Sequence, residues 1–330
     1  MPPGDTIYIP GQTGPPPPTG DPYADSLIQS IWQGDQFPLE KKQPQFLFPQ
    51  WEMFLFVLLL ALVTAYFYII RPASSKKRKI RKLFTSDSAD NVLRDIRYDQ
   101  WLSKFNPYYH SLPGDLKKRF LRRTLAFKES KEFRFHSMQP DEQIPVLISG
   151  AAVQLTFGLR HYLIEYFSVI NVIQREYSYA GNDKIVEGHV QATNRTINIS
   201  WNNFIRDYED YSDSQNVGLH ELSHAISFDF LYGFHENKHP HYEEGLKKYI
   251  HVAGPIFKEL REGKCRALDD YAALNVEEFW AVSIETFFEN PEEFRIKMPG
   301  LYDAVCDLLN QDPLKQDKII NKGLAGLANL

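Results

Sequence analysis

The chain has 330 residues, 43% hydrophobic and 24% charged, a balance that can bury a core and that excludes wholesale disorder. A formal charge of -5 gives no global basic field, which counts against a nucleic-acid-binding protein. The two cysteines, Cys265 and Cys306, form no CxxC pair; they exclude a disulfide scaffold, a thiolate-only zinc site and a redox dithiol, and they suit a reducing compartment.

Residues 1–50 carry 11 of the 21 prolines and read as a disordered Pro-rich tail, because such a stretch buries too little apolar surface to offset its chain entropy. Residues 51–70 read as a transmembrane helix. Its core, 53–70, is eighteen residues without a charge, and Trp51, Tyr66 and Tyr68 stand near the ends, where aromatic rings favour the lipid interface. A cleaved signal peptide does not fit, since fifty residues precede the run and acids outnumber Lys and Arg among them by five to two. Arg71, Lys76, Lys77, Arg78, Lys79, Arg81 and Lys82 follow in a basic juxtamembrane linker, 71–90, against Lys41 and Lys42 before the run. This asymmetry predicts a single-pass membrane protein with its bulk on the cytoplasmic side. The linker is expected either to hold anionic lipid or to serve only as a stop-transfer signal.

Residues 91–313 are expected to form the folded domain and 314–330 a flexible C-terminal tail. Apolar residues return at three- or four-residue steps over 91–105, 114–127 and 141–159, which predicts helices. The second has a basic face (Lys117, Lys118, Arg119, Arg122, Arg123) that reads as solvated surface. Between 162 and 201 the pattern changes to short runs of Val, Ile and Tyr, notably 167–173 and 196–201, with Gly181 and Asn182 marking a turn; these are predicted strands. Helical signals resume at Val217 and continue to Asn310. No internal repeat is visible.

The chemistry concentrates at His220-Glu221-Leu222-Ser223-His224. Asp213, Ser214 and Asn216 just upstream are plausible helix caps and no proline interrupts the segment, so both histidines are expected on one helix. Residues four apart share a helix face, which lets two imidazoles converge on one zinc, while Glu221 is turned off that line by about one hundred degrees, toward a metal-bound water. The apolar neighbours Leu219, Leu222, Ala225 and Ile226 imply a partly buried helix, whose polar residues need partners that a metal supplies.

A catalytic zinc takes three protein ligands and keeps one position open. Candidates for the third are His235, His239, His241 and His251, or a carboxylate on a later helix. The segment around His235 and His241 is polar and contains Pro240, which favours a surface loop. Glu278 and Glu285 stand seven apart in 275–289 and share a face. Glu278 is also three residues after Asn275, a capping-box-like spacing that would account for it without a metal. Spacing alone leaves ligand and cap both open.

The order HELSH, then Asp269-Asp270-Tyr271-Ala272-Ala273, then residues 277–285 with Phe287-Phe288, and finally Gln311-Asp312-Pro313, resembles the family of Mlc titration factor A, zinc-dependent peptidases related in fold to the catalytic domain of anthrax lethal factor. The similarity spans about residues 100–313, with upstream blocks at 120–133, 151–159 and the strand ending at Trp201. The resemblance implies an α+β, mostly helical zincin-like domain with a small sheet. It implies Zn2+ held by His220, His224 and Glu278, with Glu221 as general base, Tyr271 steadying the oxyanion and Glu285 supporting from behind. Members commonly carry aspartate where this chain has Ser227, leaving Asp229 as the nearby carboxylate for His224. Their Pro-Ala-Glu is Val276-Glu277-Glu278 here, and the seven-residue offset from Tyr271 favours Glu278 over Glu277.

The expected function is that of a membrane-tethered zinc metallopeptidase, hydrolysing peptide or protein substrates by a zinc-activated water. In that expectation a substrate chain pairs with an edge strand at 196–201. A second reading is a regulatory protein with a structural or residual zinc site that holds a partner at the membrane; a third is a zinc hydrolase acting on non-peptide substrates.

Overall fold

A computed structural model describes residues 89–318, with breaks at 180–181, 212–213, 234–239 and 265–267, together with Asp25, Leu58, Leu59 and Leu62. By its internal contacts the chain divides into Met1–Phe67 and Tyr68–Leu330, and every element below belongs to the second unit. Apart from Asp25, Leu58, Leu59 and Leu62, the Pro-rich tail and the apolar run lie outside the described residues, as do nearly all of the basic linker and the end of the C-terminal tail. Among the described residues no helix is long and apolar enough to cross a membrane.

Helices α1 (Ala89–Phe105), α2 (Pro107–Ser111) and α3 (Gly114–Ser130) lead into strand β1 (Glu132–His136) and helix α4 (Gln143–Thr156). Helix α4 is apolar all round and buried on every side, packed by α1, α3 and the later helix α6 (Val217–Tyr232). At Gly150 a Cβ would lie 2.6 Å from the Leu102 side chain, so glycine allows α1 and α4 to touch. The C-terminal end of α4 would leave carbonyls bare inside the protein; Arg123 donates to the carbonyls of Thr156, Phe157 and Leu159. Burial lowers the Arg123 pKa to about 10, which still leaves it a cation at neutral pH. One residue of the expected solvated basic face is therefore a half-buried cap on the end of α4.

Strands β2 (Val169–Ile173), β3 (Tyr177–Tyr179), β4 (Asn182–Val186), β5 (Gly188–Gln191) and β6 (Thr196–Ser200) follow, then helix α5 (Trp201–Glu209). The main sheet runs β1-β2-β6-β5, with β1, β2 and β6 parallel and β5 antiparallel to β6. Tyr179 pairs with Asn182 in the separate β3–β4 pair, so Asn182, expected in a turn, opens β4, and Gly181 lies outside the described residues. The edge strand expected at 196–201 is corrected: β6 is buried along its length, with β2 on one side and β5 on the other. Its alternating Ile and polar residues form the middle of the sheet, and the edge belongs to β5, whose Gly-His-Val-Gln lacks the β-branched run that betrays a strand.

The helical half continues with α7 (Pro240–Arg261), a 3-10 turn at Asp270–Ala273, α8 (Val276–Glu289), α9 (Pro291–Lys297) and α10 (Pro299–Leu309). Helix α6 lies between the sheet and α8, packing on α4, β5 and β6. Gln311 ties the end of the domain back to the centre: its amide donates to the carbonyls of Gln154 and Leu155, and its oxygen accepts from the Tyr108 hydroxyl.

Candidate metal centre

Two carboxyl or amide groups start α6. The Asn216 side chain accepts from the Leu219 N–H, and Asp207 accepts from the Val217 N–H at 2.9 Å, so two of the free amides of the first turn are satisfied. Val217, Leu219, Leu222, Ala225 and Ile226 bury the helix in the core. This fixes the opposite face, where the rings of His220 and His224 meet at 78°, with Nε2 atoms 3.1 Å apart.

Helix α8 runs antiparallel beside it. Asn216 donates to Glu289 near one end, and the Trp280 indole donates to the Ser223 carbonyl near the other. Asn275 caps α8 by accepting from the Glu278 N–H at 2.8 Å. The Glu278 carboxylate does not turn back to complete a capping box: Oε2 lies 3.0 Å from Nε2 of His220 and 3.7 Å from Nε2 of His224. The backbone of this residue is capped while its side chain turns toward the two rings, so the cap leaves the carboxylate available to an ion.

His220, His224 and Glu278 are the one group of three or more His, Cys, Asp or Glu residues among the described residues whose ligand atoms could share an ion, all within 4.8 Å of one another. Three donors on a tetrahedral zinc at 2.0–2.1 Å stand about 3.3 Å apart, and the separations here bracket that value. Glu278 Oε2 is buried and lacks a hydrogen-bond partner, although two ring nitrogens are close, which is the condition of a lone pair reserved for a cation. The residues present therefore fit a zinc ion.

Glu285 is buried at 5% exposure, and its Oε1 accepts from Nδ1–H of His220 at 2.6 Å. A carboxylate can only accept here, so Nδ1 of His220 carries a proton and the metal-facing atom would be Nε2, which must give up its own proton before it can hold an ion. Burial works against a charged His220 ring, but Glu285, Glu278 and Glu221 together raise its pKa well above the usual value. Burial alone would lift Glu278; the rings of His220 and His224 instead bring it down to about 2. Three carboxylates around two imidazoles demand positive charge. Ser227 donates to the Ser223 carbonyl of its own helix, and Asp229 accepts from the Tyr166 N–H, bracing a loop. Among the described residues Nδ1 of His224 has no such brace.

Glu221 is 6% exposed, and burial pushes its carboxyl up to about 7 against the pull of His220 and His224. Strand β5 passes so closely that a Cβ at Gly188 would lie 2.5 Å from Glu221 Cγ, so only glycine fits. Both line a cleft of about 450 Å³ together with His220, Glu285 and Tyr271. Tyr271 sits on the 3-10 turn, half exposed, its ring 6.0 Å from that of His220. Burial first, then the charges of Glu278, Glu221 and Glu285, raise its pKa, which keeps the phenol protonated.

Of the other candidates, His251 is exposed on α7, and His235 and His239 lie outside the described residues, as does the side chain of His241. Sequence reasoning missed the strand wall. Across the sheet, His136, Asn171, Asn198 and His189 form a hydrogen-bonded row, and Nδ1 of His189 meets the Tyr177 hydroxyl at 2.8 Å. Its signal was the lone Asn171 within the apolar run 169–173 and the alternating polar residues of 196–200. The missed Glu289 stands eleven residues after Glu278 and four after Glu285, a helix-face spacing that was legible.

The family described as glucose-regulated metallo-peptidase M90 matches residues 79–308. No curated protein matches the chain.

Proposed function

The chain belongs to the glucose-regulated metallopeptidase family M90, the Mlc titration factor family, and from that premise we propose a zinc-dependent peptidase with His220, His224 and Glu278 as ligands and Glu221 as general base. The observation that carries the reading is the convergence of two ring nitrogens and one unpartnered carboxylate oxygen within 4.8 Å. Zinc held there supplies a Lewis acid for the carbonyl and lowers the pKa of a bound water to about 7.

The chain's own residues do the rest. Glu221, buried beside the ligands, takes the proton from the attacking water and hands it to the leaving amine. A carboxyl lifted toward neutrality suits both transfers, since it holds and releases a proton at little cost. Tyr271 keeps its phenolic proton and donates to the carbonyl oxygen as charge develops there. Glu285 fixes the ring of His220, and the free edge of β5, beginning at Gly188 over Glu221, offers main-chain pairing to an extended substrate. The apolar run 53–70 and the basic residues after it favour a membrane tether with the peptidase domain on the cytoplasmic side; this part of the reading rests on the sequence alone.

The test is zinc content and peptide hydrolysis of the wild type and of Glu221→Gln. The variant should keep its zinc and lose about 10²- to 10⁴-fold in rate. Hydrolysis undiminished in a zinc-loaded Glu221→Gln contradicts the assignment, and a wild type that binds zinc yet cleaves no peptide favours a structural zinc site.

A further inference from the structure

A second cavity, of about 380 Å³, opens beside the metal centre and takes no part in the chemistry described above. Its wall on α6 is Ser227, Phe230 and Leu231. At 100° per residue, Ser227 and Leu231 each stand about twenty degrees from His220 around the helix axis, so the face that carries the ligands runs on into the cavity. Ser227 is one turn beyond His224, roughly 4.5 Å along the axis.

The other walls agree. Val276 and Trp280 of α8 line the cavity and bracket Glu278 in sequence, and the Trp280 indole is hydrogen-bonded to the residue before His224. Tyr271, Leu274 and Val276 are each at least half exposed, so a short exposed stretch leads from the cleft to the mouth of the cavity.

The lining specifies what enters. Leu246 and Tyr249 of α7 join Phe230 and Trp280 in a wall that is mostly aromatic and aliphatic; its ionisable members are Glu243, which is exposed, and His161, so a charged side chain reaching past them would lose its water against apolar surface. Tyr249 adds one polar atom, a buried hydroxyl near Ser283. Resting on the peptidase reading, we propose that this cavity is the specificity pocket for a residue flanking the cleaved bond and that it selects large apolar or aromatic side chains.

Two measurements on the full chain test it. In paired peptides that differ only in Phe or Ala beside the cleaved bond, the zinc-loaded wild type should favour Phe by at least about tenfold in kcat/KM. Filling the pocket with Leu246→Phe, or at its exposed mouth with Val276→Phe, should collapse that ratio toward one, and the ratio cancels any loss common to both peptides. Without turnover, N-acetylphenylalaninamide should change tryptophan emission saturably in the wild type and not in Trp280→Phe, whereas N-acetylalaninamide should change neither. Hydrolysis with no preference for Phe, a preference that survives both filling variants, or emission changes independent of Trp280 overturns the pocket and leaves the peptidase standing. A zinc-loaded wild type that cleaves neither peptide overturns the peptidase reading and the pocket with it.

Discussion

On the helical side of the cleft, built by α6 and α8, His220, Glu221 and Glu285 are largely withdrawn from water and clamped from behind; on the open side, formed by strand β4 and the 3-10 turn, Ile185 is 74% exposed and Tyr271 half exposed. The helical wall stores charge. It gathers three carboxylates in a space where each changes the proton affinity of its neighbours, and its hydrogen bonds to Asn216, Ser223 and His220 hold the two helices in register. The open side offers the Tyr271 hydroxyl, strand backbone and apolar surface to whatever lies in the cleft. Such a division separates holding a metal from meeting a substrate, so substitutions on the two walls should fail in different ways.

The largest effect after loss of the general base is expected on the exposed side. Tyr271→Phe should lose about 10²- to 10³-fold in kcat, the usual effect of removing one oxyanion donor, while zinc content and melting temperature stay at wild-type values. Because its pKa is raised above the ordinary 10, the phenol keeps its proton as pH rises; a wild-type profile that falls below pH 10 through a group absent in Tyr271→Phe breaks the assignment. Next, Gly188→Ala forces a Cβ against Glu221, and a displacement near 1 Å in the base costs on the order of 10²-fold in kcat/KM with zinc retained. Glu285→Gln acts on the opposite term. It should weaken zinc binding by about 10- to 100-fold, read by competition with a chelator, because Nδ1 of His220 loses its anionic acceptor. Smallest is Ile185→Ser, within about 0.5 kcal/mol of wild type in stability, measured by denaturant unfolding.

How much of this was legible in the sequence depends on the distance over which each feature is determined. His220 and His224 could be placed because a four-residue spacing fixes a helix face locally. Glu278 could not be separated from a cap by spacing, because its amide serves Asn275 while its carboxylate crosses to another helix, and a resemblance singled it out where local physics left two answers. Glu285 stood out by spacing as a face-mate of Glu278 and by the resemblance as a supporting residue; its bond to His220 depends on how α6 and α8 pack. The sheet shows the same limit. Strand β6 was visible through its isoleucines, but whether it lay at the edge depended on β5, whose glycine approaches Glu221 and whose histidine joins a polar row, two demands that erase the usual strand composition. Strand β1, Glu-Phe-Arg-Phe-His, went unread beside the strong helical period of 114–127. Arg123 is a further case, since a basic helix face reads as solvated until the end of α4 is found beneath it.

The central claim is that two imidazoles and Glu278 hold one zinc ion. Anomalous diffraction at the zinc edge from crystals of the zinc-loaded protein tests it most directly. A single strong peak about 2.0–2.2 Å from Nε2 of His220, Nε2 of His224 and Oε2 of Glu278 is the predicted result. A peak held by other residues, or zinc bound with Glu278 turned away to solvent, would contradict it.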